Sequence, residues 1–231
     1  MNLFCLESMN MIVNTAKKYS PKALAEFLFP NQEVFELVTA YASGDMERPL
    51  ILYGSSGSGK SLLQRLIPQA IESKETQVNK VICSDLKLPR DIHDLYGRNK
   101  QFNHVFTVNG QRYNYFIIEE FYMKSIRLND ALKIELDASL GTDLTIFSTN
   151  RFELIDSGVV SRSETLEVQP CNPSIFFPHA KKIMQSEEID ISDHDLQVKL
   201  NAIYTAYKDN RKYYLMMDAL IRKERTQCLT T

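Results

Sequence analysis

"LILYGSSGSGKSLLQRLI", residues 50–67, decides how this 231-residue chain is read. Leu50, Ile51, Leu52 and Tyr53 form a short apolar run between Pro49 and Gly54, the pattern of a strand buried on both faces. Ser61, Leu62, Leu63, Leu66 and Ile67 then recur at helical spacing as far as Pro68, so the Gly/Ser segment between them is a strand-to-helix turn. Gly54, Gly57 and Gly59 reach dihedrals closed to residues with a Cβ, which lets successive backbone N–H groups converge on one anion at the positive end of a helix. Residues 54–61 complete the pattern G-x-x-x-x-G-K-S: Lys60 reaches the β- and γ-phosphates of a nucleotide, and the Ser61 hydroxyl joins a Mg²⁺ shell. Phosphate contacts are expected from Gly54, Ser55, Ser56, Gly57, Ser58, Gly59, Lys60, Ser61 and Leu62. A flexible surface turn would explain the glycines, but not a Lys-Ser pair at a helix start behind a buried strand.

The remaining composition narrows the class. An apolar fraction of 44% and a charged fraction of 24% are those of an ordinary globular protein, long enough for one large domain plus a small one. No apolar run is long enough to cross a bilayer. The start "MNLFCLESMNMIVNTAKK" has no basic lead, and Glu7, Ser8 and Asn10 interrupt any signal core, so a cytoplasmic protein without membrane partners is expected. Cys5, Cys83, Cys171 and Cys228 lack paired spacing, and His93, His104, His179 and His194 are scattered, which assigns neither a disulfide framework nor a zinc site. A net charge of -2 argues against a nucleic-acid binder that works by overall positive charge and leaves a local basic stripe open.

A second strand carries acids. In "YNYFIIEEFYM", Tyr115, Phe116, Ile117 and Ile118 run into Glu119 and Glu120. Side chains alternate across a strand, so the two carboxylates diverge at its end: Glu119 toward Mg²⁺, Glu120 toward an attacking water.

With these motifs in place, the sequence resembles an AAA+ ATPase, and within that superfamily the clamp-loader small subunits of replication factor C and their phage equivalents. "KKYSPKALAEFLFPNQEVFELV" resembles the family's opening basic-Tyr-x-Pro segment and the short helix after it. "TIFSTN" resembles the third core strand, whose Asn150 would be the sensor-1 residue at the γ-phosphate and the water. "VVSRSETLEV" resembles the Ser-Arg-Cys motif, with Ser163 where Cys is usual, and makes Arg162 the arginine that reaches into a neighbouring subunit's site. "KDNRK" resembles the sensor-2 segment and implies Arg211 over the phosphates. Glu119 stands where the family normally has Asp, and the added methylene beside the Mg²⁺ implies weaker metal positioning or slower hydrolysis.

The resemblance implies an α/β fold: a P-loop AAA+ core with a parallel sheet flanked by helices over 1–169, including an N-terminal helical segment, then a small all-α lid over 170–231. Helix starts are expected at Asn172 or Ser174, with Pro178 limiting the first lid helix, and at Ser192, with Leu196, Leu200, Ile203 and Tyr207 on one face. "KDNRKYYLMMDALIRK" supplies the last helix. Clamp-loader subunits usually continue from the lid into a helical collar domain; this sequence ends soon after the lid, and an assembly that differs from theirs is expected. The implied cofactors are ATP and Mg²⁺, and the implied partners are further subunits in a ring or spiral, a replication protein such as a helicase or clamp, and DNA.

Three readings of the activity follow: an ATP-dependent loader acting in DNA replication, an assembly switch or recruitment factor with little turnover, and a superfamily-3-like helicase. An apolar stripe of Leu3, Leu6, Met9, Ile12, Val13 and Ala16 either packs on the chain's own core or docks on a partner. Lys87, Arg90, Arg98 and Lys100 could line a DNA channel, diluted by Asp85, Asp91 and Asp94; Tyr96 and Phe102 could stack on bases or pack in the core.

Overall fold

The structure, a computed structural model, describes residues 13–103, 110–138 and 141–227, without the side chains of 98–103 and 227. Leu3, Leu6, Met9, Ile12, Cys5, His104 and Cys228, and the side chains of Arg98, Lys100 and Phe102, lie outside the described set. The chain divides into a unit of Lys22–Gln169 and a unit that joins the N-terminal residues through Pro21 to Pro170–Thr231.

Three short, largely apolar segments and two mixed ones form the sheet of the first unit: β1 Leu50–Tyr53, β2 Val78–Ile82, β3 Asn114–Glu119, β4 Asp143–Thr149 and β5 Glu164–Glu167. Every pairing is parallel, in the order β2-β3-β4-β1-β5. Parallel neighbours need crossover helices, and these cover both faces. On one face Leu50, Leu52, Tyr115, Leu144 and Ile146 pack against Val34, Val38 and Tyr41 of α2 (Gln32–Ser43) and Leu63, Leu66 and Ile67 of α3 (Lys60–Glu72), α1 being Thr15–Lys18 in the other unit. On the other, Ile51, Phe116, Ile118 and Phe147 meet Ile92 and Tyr96 of α4 (Pro89–Asn103) and Leu128, Leu132 and Leu136 of α5 (Ile126–Ala138). A four-residue α6, Ser157–Val160, precedes the edge strand β5. The expected α/β core with a flanked parallel sheet is therefore present.

One local expectation is corrected, and one choice between two readings is decided. The helix after the Gly-rich turn does not stop at Pro68 but runs through it to Glu72, closing on Ser73 in the left-handed conformation. Pro68 is itself buried in that helix, so core packing offsets the backbone hydrogen bond its ring removes. Tyr96 is fully buried and its hydroxyl shares a 2.9 Å hydrogen bond with Thr145 Oγ1, so it is a core residue and not a base-stacking one.

The second unit is all-α: α1, α7 (Pro173–Ser186), α8 (Asp193–Tyr207) and α9 (Asn210–Gln227). Asn172 caps α7 by accepting from Ile175 N, and Ser192 caps α8 by accepting from Asp195 N. Pro178 lies inside α7. Leu196 and Leu200 are buried, but Tyr207, at the last position of α8, is exposed. The N-terminal segment belongs here and not with the sheet: Thr15 N and Oγ1 both donate to the buried Asp218 Oδ1, at 2.9 and 2.7 Å, and tie α1 to α9. Glu187 is a second tie, accepting from Lys18 Nζ (2.6 Å), Tyr19 Oη (2.8 Å) and Arg225 Nη2 (3.0 Å).

Candidate functional site

In an open parallel sheet the ligand crevice lies at the carboxyl ends of the strands, where the strand order reverses. Here that point is β1, flanked by β4 and β5, and the loop leaving it is the Gly-rich segment. Gly54, Gly57 and Gly59 have φ of 133°, 74° and 110°. A Cβ on Gly54 would sit 2.5 Å from the Val168 carbonyl oxygen, and one on Gly59 3.2 Å from the Phe27 ring. The glycines thus serve both the backbone turn and the close approach of neighbouring chain. Gly59 is the N-cap of α3, and no side chain caps that helix, so its amino end is left to backbone donors alone.

Lys60 is 8% exposed, and its ammonium donates to the carbonyl oxygens of Gly54 (2.9 Å) and Ser55 (2.7 Å). A buried ammonium needs such partners to offset lost hydration. The side chain is folded back over its own loop. Ser55, Ser56 and Ser61 are exposed, while Ser58 is buried. One helical turn beyond Lys60, the buried Gln64 donates from Nε2 to Ile146 O at 2.9 Å, which fixes α3 onto the backbone of β4.

The acids separate at the end of β3, Glu119 by alternation and Glu120 by a turn of the backbone. Tyr115 faces α3 and Ile118 faces α4 and α5, so Glu119 shares the α3 face with the loop. It is ion-paired with Lys80 of β2 at 2.8 Å. Glu120 follows the strand with φ +53°, a left-handed value uncommon for a residue with a side chain. The next residue offsets the strain: Phe121 N donates to Ser148 O at 2.7 Å, and its ring is buried 4.4 Å from that of Phe147. That turn brings Glu120 into a cleft of ≈ 390 Å³ with Ser84, Tyr122, Thr149, Asn150 and Arg151. Glu120 and Asn150, read separately from the sequence, therefore line one cavity. Thr149 fixes the exit of β4 by accepting from Arg151 N at 2.9 Å, and Arg151 lies over the Tyr122 ring at 5.7 Å.

Arg162 is elsewhere on the same unit, hydrogen-bonded to Asp137 of α5 and to the Gly158 carbonyl of α6. Arg211 is in the helical unit, where Asp209 accepts from both its backbone N–H and its guanidinium. Ser84, Lys80, Tyr122, Arg151 and Asp137 escaped the sequence analysis. They belong to no motif, and their partners are 25 or more residues away or on neighbouring strands. Among the described residues, no helix is long and apolar enough to cross a membrane.

The loop has the donors of an anion site, and the adjoining strands bring a carboxylate and an amide to one cleft. Such a set can hold phosphoryl oxygens and orient a water.

The chain is similar to replication factor C subunit 5 of Mus musculus, with 24% identity over 184 residues that make up 78% of this chain and 53% of that protein. The Homo sapiens subunit 5 gives 22% identity over the same shares. The chain thus spans about half the length of the curated relatives it matches. No family model matches it. This weak similarity and the resemblance to replication factor C small subunits carried by the motifs point the same way.

Proposed function

We propose that this chain is a clamp-loader-like AAA+ ATPase that works as a ring or spiral of subunits and uses ATP to load or remodel a replication protein, a helicase or a sliding clamp, on DNA. The observation that carries the reading is the β1–α3 loop, glycine-turned and folded around Lys60, in a parallel sheet whose β3 and β4 bring Glu120 and Asn150 to one cleft.

In this reading Gly54, Ser55, Ser56, Gly57, Ser58, Gly59, Lys60, Ser61 and Leu62 surround the phosphates of ATP, and Ser61 and Glu119 hold Mg²⁺, which supplies charge neutralisation on the phosphoryl oxygens. Glu120 polarises the attacking water, with Asn150 fixing its position. Arg162 stabilises charge in the site of a neighbouring subunit, and Arg211 approaches the phosphates from the helical unit. Glu120→Gln keeps ATP binding but lowers turnover by about 10²–10⁴-fold, because an amide is a far weaker base. Single-turnover hydrolysis beside nucleotide titration reads both halves. Wild-type turnover rises when DNA and the loaded protein are both present, since the complex completes the sites between subunits.

A second reading, an assembly switch with little turnover, has one observation in its favour. The Lys80 ion pair neutralises Glu119, an acid already one methylene longer than the usual Asp, and so weakens its hold on a metal. Turnover indifferent to every combination of DNA and partner would establish the switch over the loader.

A further inference from the structure

An arginine that serves a neighbouring subunit's nucleotide must be oriented before the two subunits meet, because an unrestrained guanidinium on a long stem loses its freedom on docking. Arg162 is restrained. Its Nε and Nη2 donate side-on to the two carboxylate oxygens of Asp137, at 2.8 and 2.9 Å, and its Nη1 donates to Gly158 O at 2.9 Å. These contacts come from two elements, Asp137 in the last turn of α5 and Gly158 in α6. A guanidinium has five N–H donors, so three bonds leave two, one on each terminal nitrogen, for a phosphate to accept from. The Arg162 side chain is still 35% exposed.

The pairing is felt by both groups: the Arg162 hydrogen bond holds the Asp137 carboxyl below its ordinary range, and Asp137 raises the guanidinium in turn. A second link keeps the two elements in register, since Lys133 of α5 reaches Asp130 at 2.9 Å and Asp156, the N-cap of α6, at 3.5 Å. Solvent-exposed ion pairs add little to the stability of a fold. What the side-on geometry supplies is direction.

We propose that Asp137 is a positioning residue for Arg162: it clamps one edge of the guanidinium so that the remaining donors are presented to a phosphate of the nucleotide on an adjacent subunit. This rests on the reading of Arg162 as an arginine acting between subunits. Asp137 itself touches neither nucleotide nor water.

The test compares wild type, Asp137→Asn, Asp137→Glu, Arg162→Ala and the double variant Asp137→Asn/Arg162→Ala, as full chains, by steady-state ATP hydrolysis and thermal melting. ATP-driven self-association, measured by sedimentation velocity in the Glu120→Gln background, gives a reading without turnover. Asp137→Asn is expected to lose about tenfold to a hundredfold in kcat, the range that loosening a positioned group costs, with KM and Tm unchanged. Asp137→Glu recovers part of that loss, and Asp137→Asn adds nothing once Arg162 is alanine. In sedimentation, Asp137→Asn weakens association by a smaller factor than Arg162→Ala. Full activity and association of Asp137→Asn beside a defective Arg162→Ala would overturn the positioning role alone. An equal loss from Asp137→Asn with and without Arg162 would reduce Asp137 to a structural residue. Arg162→Ala indistinguishable from wild type in both assays would overturn the intersubunit reading, and this inference with it.

Discussion

Lys60 is 8% exposed and held by two carbonyl oxygens of its own loop, whereas the Arg162 side chain is 35% exposed and held by a carboxylate 25 residues away. The first tether is neutral, local and built from backbone; the second adds to one backbone carbonyl, that of Gly158, a charged and distant side chain. In the proposed site, a phosphate arriving at Lys60 would exchange two dipoles for full charges, so the contact would strengthen on binding and belong to affinity. A phosphate arriving at Arg162 finds a cation already paired, and what it gains is orientation. Lys60 should therefore govern whether nucleotide is held, and Arg162 how fast it is cleaved.

Breaking that division is the purpose of the strongest test. Arg162→Ala is expected to bind ATP normally and to hydrolyse it about 10³-fold more slowly, the scale of arginines that act in trans. Mixing it with Lys60→Ala sharpens the point: one variant has whole sites and the other whole arginines, so hydrolysis should reappear above either alone if subunits co-assemble. Mixed oligomers seen by light scattering that stay inactive would show that the arginine serves its own subunit or none. Lys60→Ala is the next in size, with ATP affinity falling by about 10²–10³-fold in a fluorescent-nucleotide titration, as when one partner of a desolvated charge pair is removed. A normal Kd with slow turnover would erase the contrast between the two cations.

Glu187 inverts the arrangement, since there one carboxylate is gripped by Lys18, Tyr19 and Arg225. Burial pushes its carboxyl up, but those hydrogen bonds and charges outweigh burial and hold it below the ordinary 4.5. The charged form is thus favoured in the folded helical unit. Its contribution to stability is complete above pH 4.5 and is lost as pH falls through the lowered native value. The expected effect is small: a modest Tm deficit of Glu187→Gln near neutrality that closes as pH falls below 4.5. A deficit that stays constant down to acid pH would mean that packing, not charge, is what the side chain supplies.

The parts of the site that were legible are those where one residue's identity fixes its own backbone or its own face. Gly54, Gly57 and Gly59 announce positive φ, Leu50–Tyr53 announce a buried parallel strand, and alternation gives the face of Glu119, whereas Glu120 reaches the cleft through a left-handed turn beyond the strand. What stayed hidden depends on a second residue that no spacing rule selects. Lys80 meets Glu119 because β2 pairs with β3 in one particular register, Ile82 opposite Glu119, and Asp137 of α5 meets Arg162 in the turn after α6. The N-terminal segment was misassigned for the same reason. Chain order put residues 13–21 beside the sheet unit, whereas the hydrogen bonds of Thr15 to Asp218 put them in the helical one. Pro68 misled by a rule that holds for exposed helices, where nothing compensates a missing donor; in α3 its ring is packed in the core.

With Glu120 in its proposed role, its left-handed backbone would set stability and activity against each other at one position. A side chain with φ +53° costs about 1–2 kcal/mol that asparagine, whose short amide bonds locally, mostly escapes. Selection for thermal resistance alone, with no demand on turnover, should therefore drift toward Asn at 120, producing a protein that melts later and no longer cuts ATP. The glutamate persists only where chemistry is being scored, so a library ranked first by melting and then by hydrolysis would separate at this residue before any other in the cleft.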